Sequence, residues 1–314
     1  MRAYFKNMDA RRLLVFSFVT TVTMTLVFGA LILNAVRDSR SSATEDLDQP
    51  GRPLTIAVVR LVGGWAAWPS HMDALQHISR SLDRPVHVKF LAPGERAEEI
   101  FSENDHVDAA FMSTFAYLIA REKYENMTHL ATPIVSGHAS EQAVLVVSAE
   151  SPYMSVSDLQ GKRLALSPPG AGGSIPGNAY ARWVLYQRGL GTAEEFFGVV
   201  DERFTQDLNL RRVLNGLADA TSANRSQLAS WPQGSFRVIE YSHEYAMPPF
   251  VVSPKLSDAE AEKIINALMT YRSDSEDDLI GGYTRPKPED YDFPNELLSF
   301  ARDRSGFVES VGSE

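Results

Sequence analysis

The stretch "LALSPPGAGGSIPGNAYARWVLYQRGL", residues 164–190, begins as a short apolar strand and ends as a helix, with prolines and glycines packed between them. A chain that leaves a strand for a helix must turn sharply. Gly170, Gly172 and Gly173 permit backbone angles and close approaches that a side chain would block. Ser174 is a preferred N-cap type, and Pro176 equally suits the first turn of a helix capped at Ile175. On either placement the helix start directs unpaired N–H groups and the positive end of a dipole at one spot, which suits an anion. A plain strand-to-helix connector with a capping serine explains the same composition.

The same strand–helix alternation runs through residues 54 to about 305. "LTIAVV" (54–59) is a buried strand, and a helix follows near 68–82. "VHVKFL" (86–91) is a second strand and "ERAEEIFSE" (95–103) a helix; "VDAAFM" (107–112) is a third strand leading into "STFAYLIAREKY" (113–124). A second unit opens at "AVLVVSA" (143–149) and continues through "KRLAL", the helix 175–190, the strand in "FGVVDERF" and a helix over 207–217. It ends with the strands "ADATSA" (218–223) and "FRVIEY" (236–241). "AMPPFVVSPKL" (246–256) then reads as an extended return to the first unit, and "SDAEAEKIINALMTY" (257–271) as an amphipathic helix with Ser257 and Glu260 at capping-box spacing. Repeated strand–helix–strand units predict right-handed crossovers and mostly parallel sheets. Two α/β lobes joined by two crossings would leave a cleft at the C-terminal ends of the strands, with hinges near 140–145 and 241–248.

Composition narrows the function. The chain has 314 residues, a formal charge of -10 and no cysteine. The acidic balance and the absence of a Lys/Arg block argue against a nucleic-acid partner. Without cysteine there is no disulfide, no thiolate metal site and no lipid-bearing cysteine. Leu13–Val36 carries no charge and, at roughly 1.5 Å per residue, is long enough to cross a bilayer core about 30 Å thick. Arg2, Lys6, Arg11 and Arg12 precede it, so the positive-inside rule leaves the N-terminus in the cytoplasm and the rest outside. The run is longer than the apolar core of a cleaved leader and is read as a retained signal anchor. The expected organisation is a cytoplasmic N-terminus (1–12), a transmembrane helix (13–36) and a linker (37–53). Lobe 1 follows (54–142 plus 246–305), with lobe 2 (143–245) inserted in it and a frayed tail (306–314).

Catalytic templates do not fit. A nucleophile elbow around Ser174 would need glycine where Pro176 stands, and a dinucleotide fingerprint would need glycine at Ile175. A P-loop would need Gly-Lys-Ser/Thr, and no lysine follows. His71 and His77 are six apart, off register for a shared metal, and read as surface residues; His138 and His243 are isolated. No catalytic residue, metal ligand or cofactor is therefore assigned.

Several segments resemble ABC-type phosphate/phosphite/phosphonate substrate-binding proteins. These are "SVSDLQGKRLALSPPGAGGSIPGNAYARWVLYQRGL" (155–190), "HVDAAFMSTFAYLIA" (106–120), "RRVLNGLADATSANRSQL" (211–228) and "RPKPEDYDFPNELL" (285–298). The resemblance implies a two-lobed type 2 periplasmic-binding fold behind one N-terminal transmembrane helix. It places Ser113 and Thr114 in lobe 1 as ligand donors, Gly172, Gly173 and Ser174 at the helix start of lobe 2, and Asn224 facing the cleft. It also places Arg60 to Trp65 at the cleft opening. Arg60 and Arg225 are candidate partners for a carboxylate or phosphate, since a bidentate guanidinium suits either. The loop "GAGGS" offers one hydroxyl where the family commonly has three, and Gln206 stands where it frequently has histidine. These departures point away from an unchanged phosphonate specificity.

The function so implied is binding without catalysis. A membrane-tethered extracytoplasmic protein closes on a small anionic solute and delivers it to an ABC permease or a membrane sensor. The bilayer is engaged through the N-terminal helix. The alternatives are an enzyme on the same lobes and a ligand-free scaffold with a degenerate cleft.

Overall fold

In the computed structural model, residues 51–58, 68–91, 97–102, 106–168, 175–275 and 278–304 are described. The expected transmembrane segment, 13–36, lies outside them, and so does the tail. Among the described residues no helix is long and apolar enough to cross a membrane.

"LTIAV" forms β1 (Leu54–Val58), with Leu54, Ile56, Ala57 and Val58 buried. This near-continuous burial is what a strand covered on both faces requires. It pairs in parallel with β2 (Val86–Phe90) on one side and β3 (Ala109–Phe111) on the other. Between β1 and β2 lies α1 (Trp68–Leu82), which turns Ser70, His71, Ala74, Leu75 and Ile78 inward at helical spacing. His71 is thus a core residue, its ring edge-on to Phe111 at 4.8 Å, and not a surface one. His77 faces Thr270 at 3.0 Å. After β3 comes α2 (Thr114–Lys123), and the chain continues into β4 (Leu130–Val135).

A two-residue strand, β5 (Ser140–Glu141), carries the chain out of the first sheet and into β6 (Ala143–Ser148). The second sheet then adds β7 (Arg163–Ala165), β8 (Val199–Asp201), β9 (Ala220–Asn224) and β10 (Phe236–Tyr241), in the order β10-β6-β9-β7-β8. Its helices are α3 (Tyr180–Gln187), preceded by a π-type turn at Ile175–Ala179, then α4 (Ala193–Phe196), α5 (Gln206–Leu214) and α6 (Arg225–Leu228). The return runs through β11 (Tyr245–Ala246), which pairs antiparallel with β5, and then β12 (Phe250–Val252), which re-enters the first sheet between β3 and β4. Helix α7 (Asp258–Thr270), strand β13 (Ile280–Thr284) and helix α8 (Asp292–Arg304) complete lobe 1, whose sheet has the order β13-β4-β12-β3-β1-β2.

Both sheets are mixed rather than mostly parallel. In the first, β1 pairs in parallel with its neighbours, whereas β12 and β4 and β4 and β13 pair antiparallel. In the second, β7 is parallel to β8 and β9, while β6 is antiparallel to β9 and β10. The antiparallel strands flank the two lobe crossings, where the chain arrives extended without an intervening helix. Residues 97–102 also differ from the expected helix: they form a single 3₁₀ turn at Ala97–Glu99. Ile100 and Phe101 are both buried there.

Helix α8 touches both lobes. Its Arg302 makes a bidentate pair with Glu122 of α2, at 2.7 and 2.8 Å. Its Phe293 lies 5.3 Å from the Trp183 ring of α3 and 6.1 Å from that of Tyr245 on the crossing strand. Phe293 is 5% exposed, so Phe293→Ala leaves a cavity among aromatic rings. The expected loss is about 3–5 kcal/mol of stability, read as a lowered urea midpoint; an unchanged midpoint would contradict this packing.

Candidate functional site

The strands of both lobes end in polar residues. After β3, Met112 is fully buried and its N–H donates to Pro249 O at 2.9 Å. Ser113 then caps α2, its Oγ accepting from Ala116 N at 3.2 Å. Serine at this position satisfies one of the otherwise orphaned first-turn donors. Thr114, 5% exposed, spends its side chain on no other described residue.

In lobe 2, β7 runs into Ser167, which is held to the start of the following helix from both sides. Its N–H donates to Gly177 O at 2.7 Å, and its carbonyl accepts from Asn178 Nδ2 at 2.8 Å. The Ser167 hydroxyl is buried and has no hydrogen-bond partner among the described residues. Gly177 is packed against it: a Cβ there would lie 2.7 Å from Ser167 Oγ and 3.0 Å from Gln206 Nε2. Gln206, the first residue of α5 and 3% exposed, accepts from Asn224 N at 3.2 Å. Asn224, at the end of β9, accepts from the Tyr245 hydroxyl at 3.1 Å. Arg225 is exposed and donates to Gln142 Oε1 at 2.8 Å.

Glu141, on the crossing strand β5, is only 4% exposed. One oxygen accepts from Gln142 N at 2.9 Å and Ser226 N at 3.2 Å; the other accepts from the Ser226 hydroxyl. Burial raises its pKa above the ordinary glutamate value, opposed by the Ser226 and Gln142 hydrogen bonds and by Arg225. Burial likewise holds Tyr245 well above the usual phenol range, with the Glu141 charge acting in the same direction.

Of the residues expected to hold the ligand, Arg60, Trp65, Gly172, Gly173 and Ser174 lie outside the described residues. Asn224 and Arg225 come together beside the lobe crossing, and Ser113 and Thr114 stand at a strand end of the other lobe. No hydrogen bond between described residues joins the two pairs. Ser167, Gly177, Tyr245 and Glu141 were not singled out from the sequence as site residues, and Gln206 was noted only as a replacement for histidine. Ser167 ends an apolar strand immediately before a Pro-Pro-Gly turn, which is the signal that could have marked it. Among the described residues no group of His, Asp or Glu could hold a metal ion.

Comparison with known proteins matches this arrangement to a family. The model of the ABC transporter, phosphonate, periplasmic substrate-binding protein family matches residues 71–285, and the chain belongs to that family. Its two-lobed α/β architecture is shared with solved binding proteins. One is PhnD1 from Prochlorococcus marinus, in complex with methylphosphonate, with a TM-score of 0.60 and 14% identity over 81% of this chain and 98% of that one. Another is a binding protein component of an ABC phosphonate transporter from Pseudomonas aeruginosa, with a TM-score of 0.58 and 14% identity over 83% and 98%. A third is XAC2383 from Xanthomonas citri, bound to ATP, with a TM-score of 0.57 and 15% identity over 82% and 99%. At these identities the likeness is one of fold. No curated protein matches the chain. Family membership makes this an extracytoplasmic substrate-binding protein of ABC transport, not an enzyme.

Proposed function

We propose that the protein is tethered to the cytoplasmic membrane by residues 13–36, with 37–53 as linker, and that its lobes (54–142 plus 246–305, and 143–245) close on a small anionic solute. Phosphonate-like and carboxylate ligands are the class considered, delivered to an ABC permease. The observation that carries the reading is Ser167. A buried hydroxyl without a partner among the described residues costs free energy unless something else satisfies it, and this one lies beside the helix start that Gly172, Gly173 and Ser174 precede in sequence. Thr114 supplies a second uncommitted hydroxyl from lobe 1. Asn224 and Arg225 belong to the same lobe-2 rim; Arg60 and Trp65 are assigned to the opening after β1.

A thermal-shift screen against methylphosphonate, inorganic phosphate, sulfonates and carboxylates tests this. A ligand at a hundred times its Kd adds about 2.7 kcal/mol, or roughly 5–10 °C for a domain of this size. Ser174→Pro and Gly173→Val are expected to abolish the shift while leaving the unliganded transition in place. Equal shifts in variants and wild type would remove the helix start from the site.

A further inference from the structure

The two chain crossings form a ribbon, β5 paired with β11, whose side-chain hydrogen bonds run to lobe 2. On the lobe 2 side the backbone ladders run into it: Arg225 N donates to Gln142 O at 2.9 Å and Ser242 N to Ala143 O at 2.9 Å. Side chains reinforce them through Arg225 to Gln142 Oε1, Gln142 Nε2 to Ser242 O at 2.9 Å, and Tyr245 to Asn224. At the centre is the buried Glu141 carboxylate, whose acceptor positions are taken by Gln142 N, Ser226 N and the Ser226 hydroxyl. On the lobe 1 side Phe293 of α8 packs on Tyr245, with ring centroids 6.1 Å apart, but the backbone hydrogen bonds stop short of the ribbon. The Val135–His138 bridge and Ser136 N to Leu279 O fix the turn before Ala139, and Met112 N to Pro249 O fixes the chain after Pro248.

We propose that Glu141 is a positioning residue that clasps the ribbon to lobe 2, so that ribbon and lobe 2 turn as one body. The lobes then pivot at Ala139 on one crossing and at Met247–Pro248 on the other. The expected hinge bounds, 140–145 and 241–248, are thereby narrowed and displaced toward lobe 1. Through Ser226 and Arg225, Glu141 also holds the end of β9, so Asn224 keeps its place against Tyr245 while the lobes move.

The clasp has a defined response to acid. The groups acting on Glu141 from neighbouring elements are Ser226 and Arg225 of α6 and Tyr245 of β11, with Glu244 held at 3.0 Å by the Oγ of Ser140, the residue before Glu141 in sequence. Protonated on the oxygen facing Ser226, the carboxyl donates to the hydroxyl while its other oxygen keeps both N–H donors; the neutral acid therefore satisfies the same partners. Because the clasped pKa is raised above that of a solvated glutamate, protonation favours the clasped form, and the clasp weakens as pH rises through the raised value.

The experiment needs no ligand and so stands apart from the identity of the solute. The chain has no cysteine, so paired spin labels report without background. A Ser140→Cys/Met154→Cys pair spans ribbon and lobe 2, and a Ser140→Cys/Ser81→Cys pair spans ribbon and lobe 1. The first distance distribution is expected to be narrow and the second broad. Glu141→Ala should broaden the first and lower amide-exchange protection at Ser226 and Gln142 by about 10- to 100-fold. Ser226→Ala should act in the same direction, and it serves if the Glu141 variant fails to fold. Glu141→Gln should keep the protection and abolish its pH dependence. Equally broad distributions in the wild type, or unchanged protection in both Glu141→Ala and Ser226→Ala, would overturn the proposal.

Discussion

Replacing Glu260 with alanine is expected to destabilise the protein by about 3–5 kcal/mol, which lowers its melting point by roughly 6–20 °C. Glu260, in the first turn of α7, makes an ion pair with Arg84, and the two side chains are 11% and 5% exposed. The Arg84 Nε also donates to Arg52 O at 2.6 Å. Arg52 in turn makes a bidentate pair with Asp108, which accepts from Thr55 N at 2.8 Å. The start of β1, the turn after α1 and the approach to β3 are therefore joined through buried charge. A guanidinium stays protonated, so Glu260→Ala leaves a cation out of water without its counter-ion. Lys263 also reaches Glu260, at 3.2 Å, but from an exposed position that adds little. The pair itself need not stabilise: Arg84→Met with Glu260→Leu should recover most of the loss, because apolar replacements of similar volume avoid the desolvation cost. A loss below about 1 kcal/mol in Glu260→Ala would mean that the pair is solvated.

That network shows where sequence reading stops. Ser257 at the start of α7 was legible, and its Oγ accepts from Glu260 N at 3.3 Å, which is half of the expected capping box. The carboxylate of Glu260 goes to Arg84, 176 positions away, and no local spacing announces such a partner. Helix 68–82 was readable because its inward residues recur at helical spacing. Strand β4 was not, because Pro133 interrupts an otherwise apolar run. Its pairing with β12 involves only Leu130 and Ala131, so Pro133 lies beyond the stretch that needs donors on that side. Strand β13, "IGGYT", was hidden by two glycines, and its register is irregular between Ile280 and Gly282.

The site shows the same division. Ser113 as a cap follows from its place between a strand and a helical run. Glu141 precedes the apolar "AVLVV" and reads locally as a solvated strand end. Its burial follows from Ser226, 85 positions later, meeting the crossing strand. Roles set within one turn of helix are written in the neighbouring residues, whereas roles set by tertiary partners appear only once the lobes are assembled.

Gly177→Ala is expected to cost about 1–3 kcal/mol and to weaken binding of any ligand found in the screen, with Gly177→Val more severe on both measures. Conformational freedom is not the reason. The added Cβ would lie 2.7 Å from Ser167 Oγ, 3.0 Å from Ser167 Cβ and 3.0 Å from Gln206 Nε2. Ser167 is tied at its N–H to Gly177 O and at its carbonyl to Asn178 Nδ2, so it cannot retreat without breaking these bonds. Gln206 is restrained as well, since its other amide atom accepts from Asn224 N. The new methyl group therefore displaces the uncommitted serine hydroxyl, the glutamine at the start of α5, or the helix start itself, and each belongs to the proposed ligand-facing end of lobe 2. Ser167→Gly removes both atoms of the serine that the methyl group would meet. In the double variant the stability loss should shrink, giving a coupling of about 0.5–3 kcal/mol between the two sites. Binding should stay weak there, because the Ser167 hydroxyl is gone. If Ser167→Gly/Gly177→Ala instead regained full affinity, Ser167 would act only as a spacer and the ligand would have to be held by other donors. If Gly177→Ala changed neither stability nor affinity, the close packing of β7 against the helix start would be absent in solution.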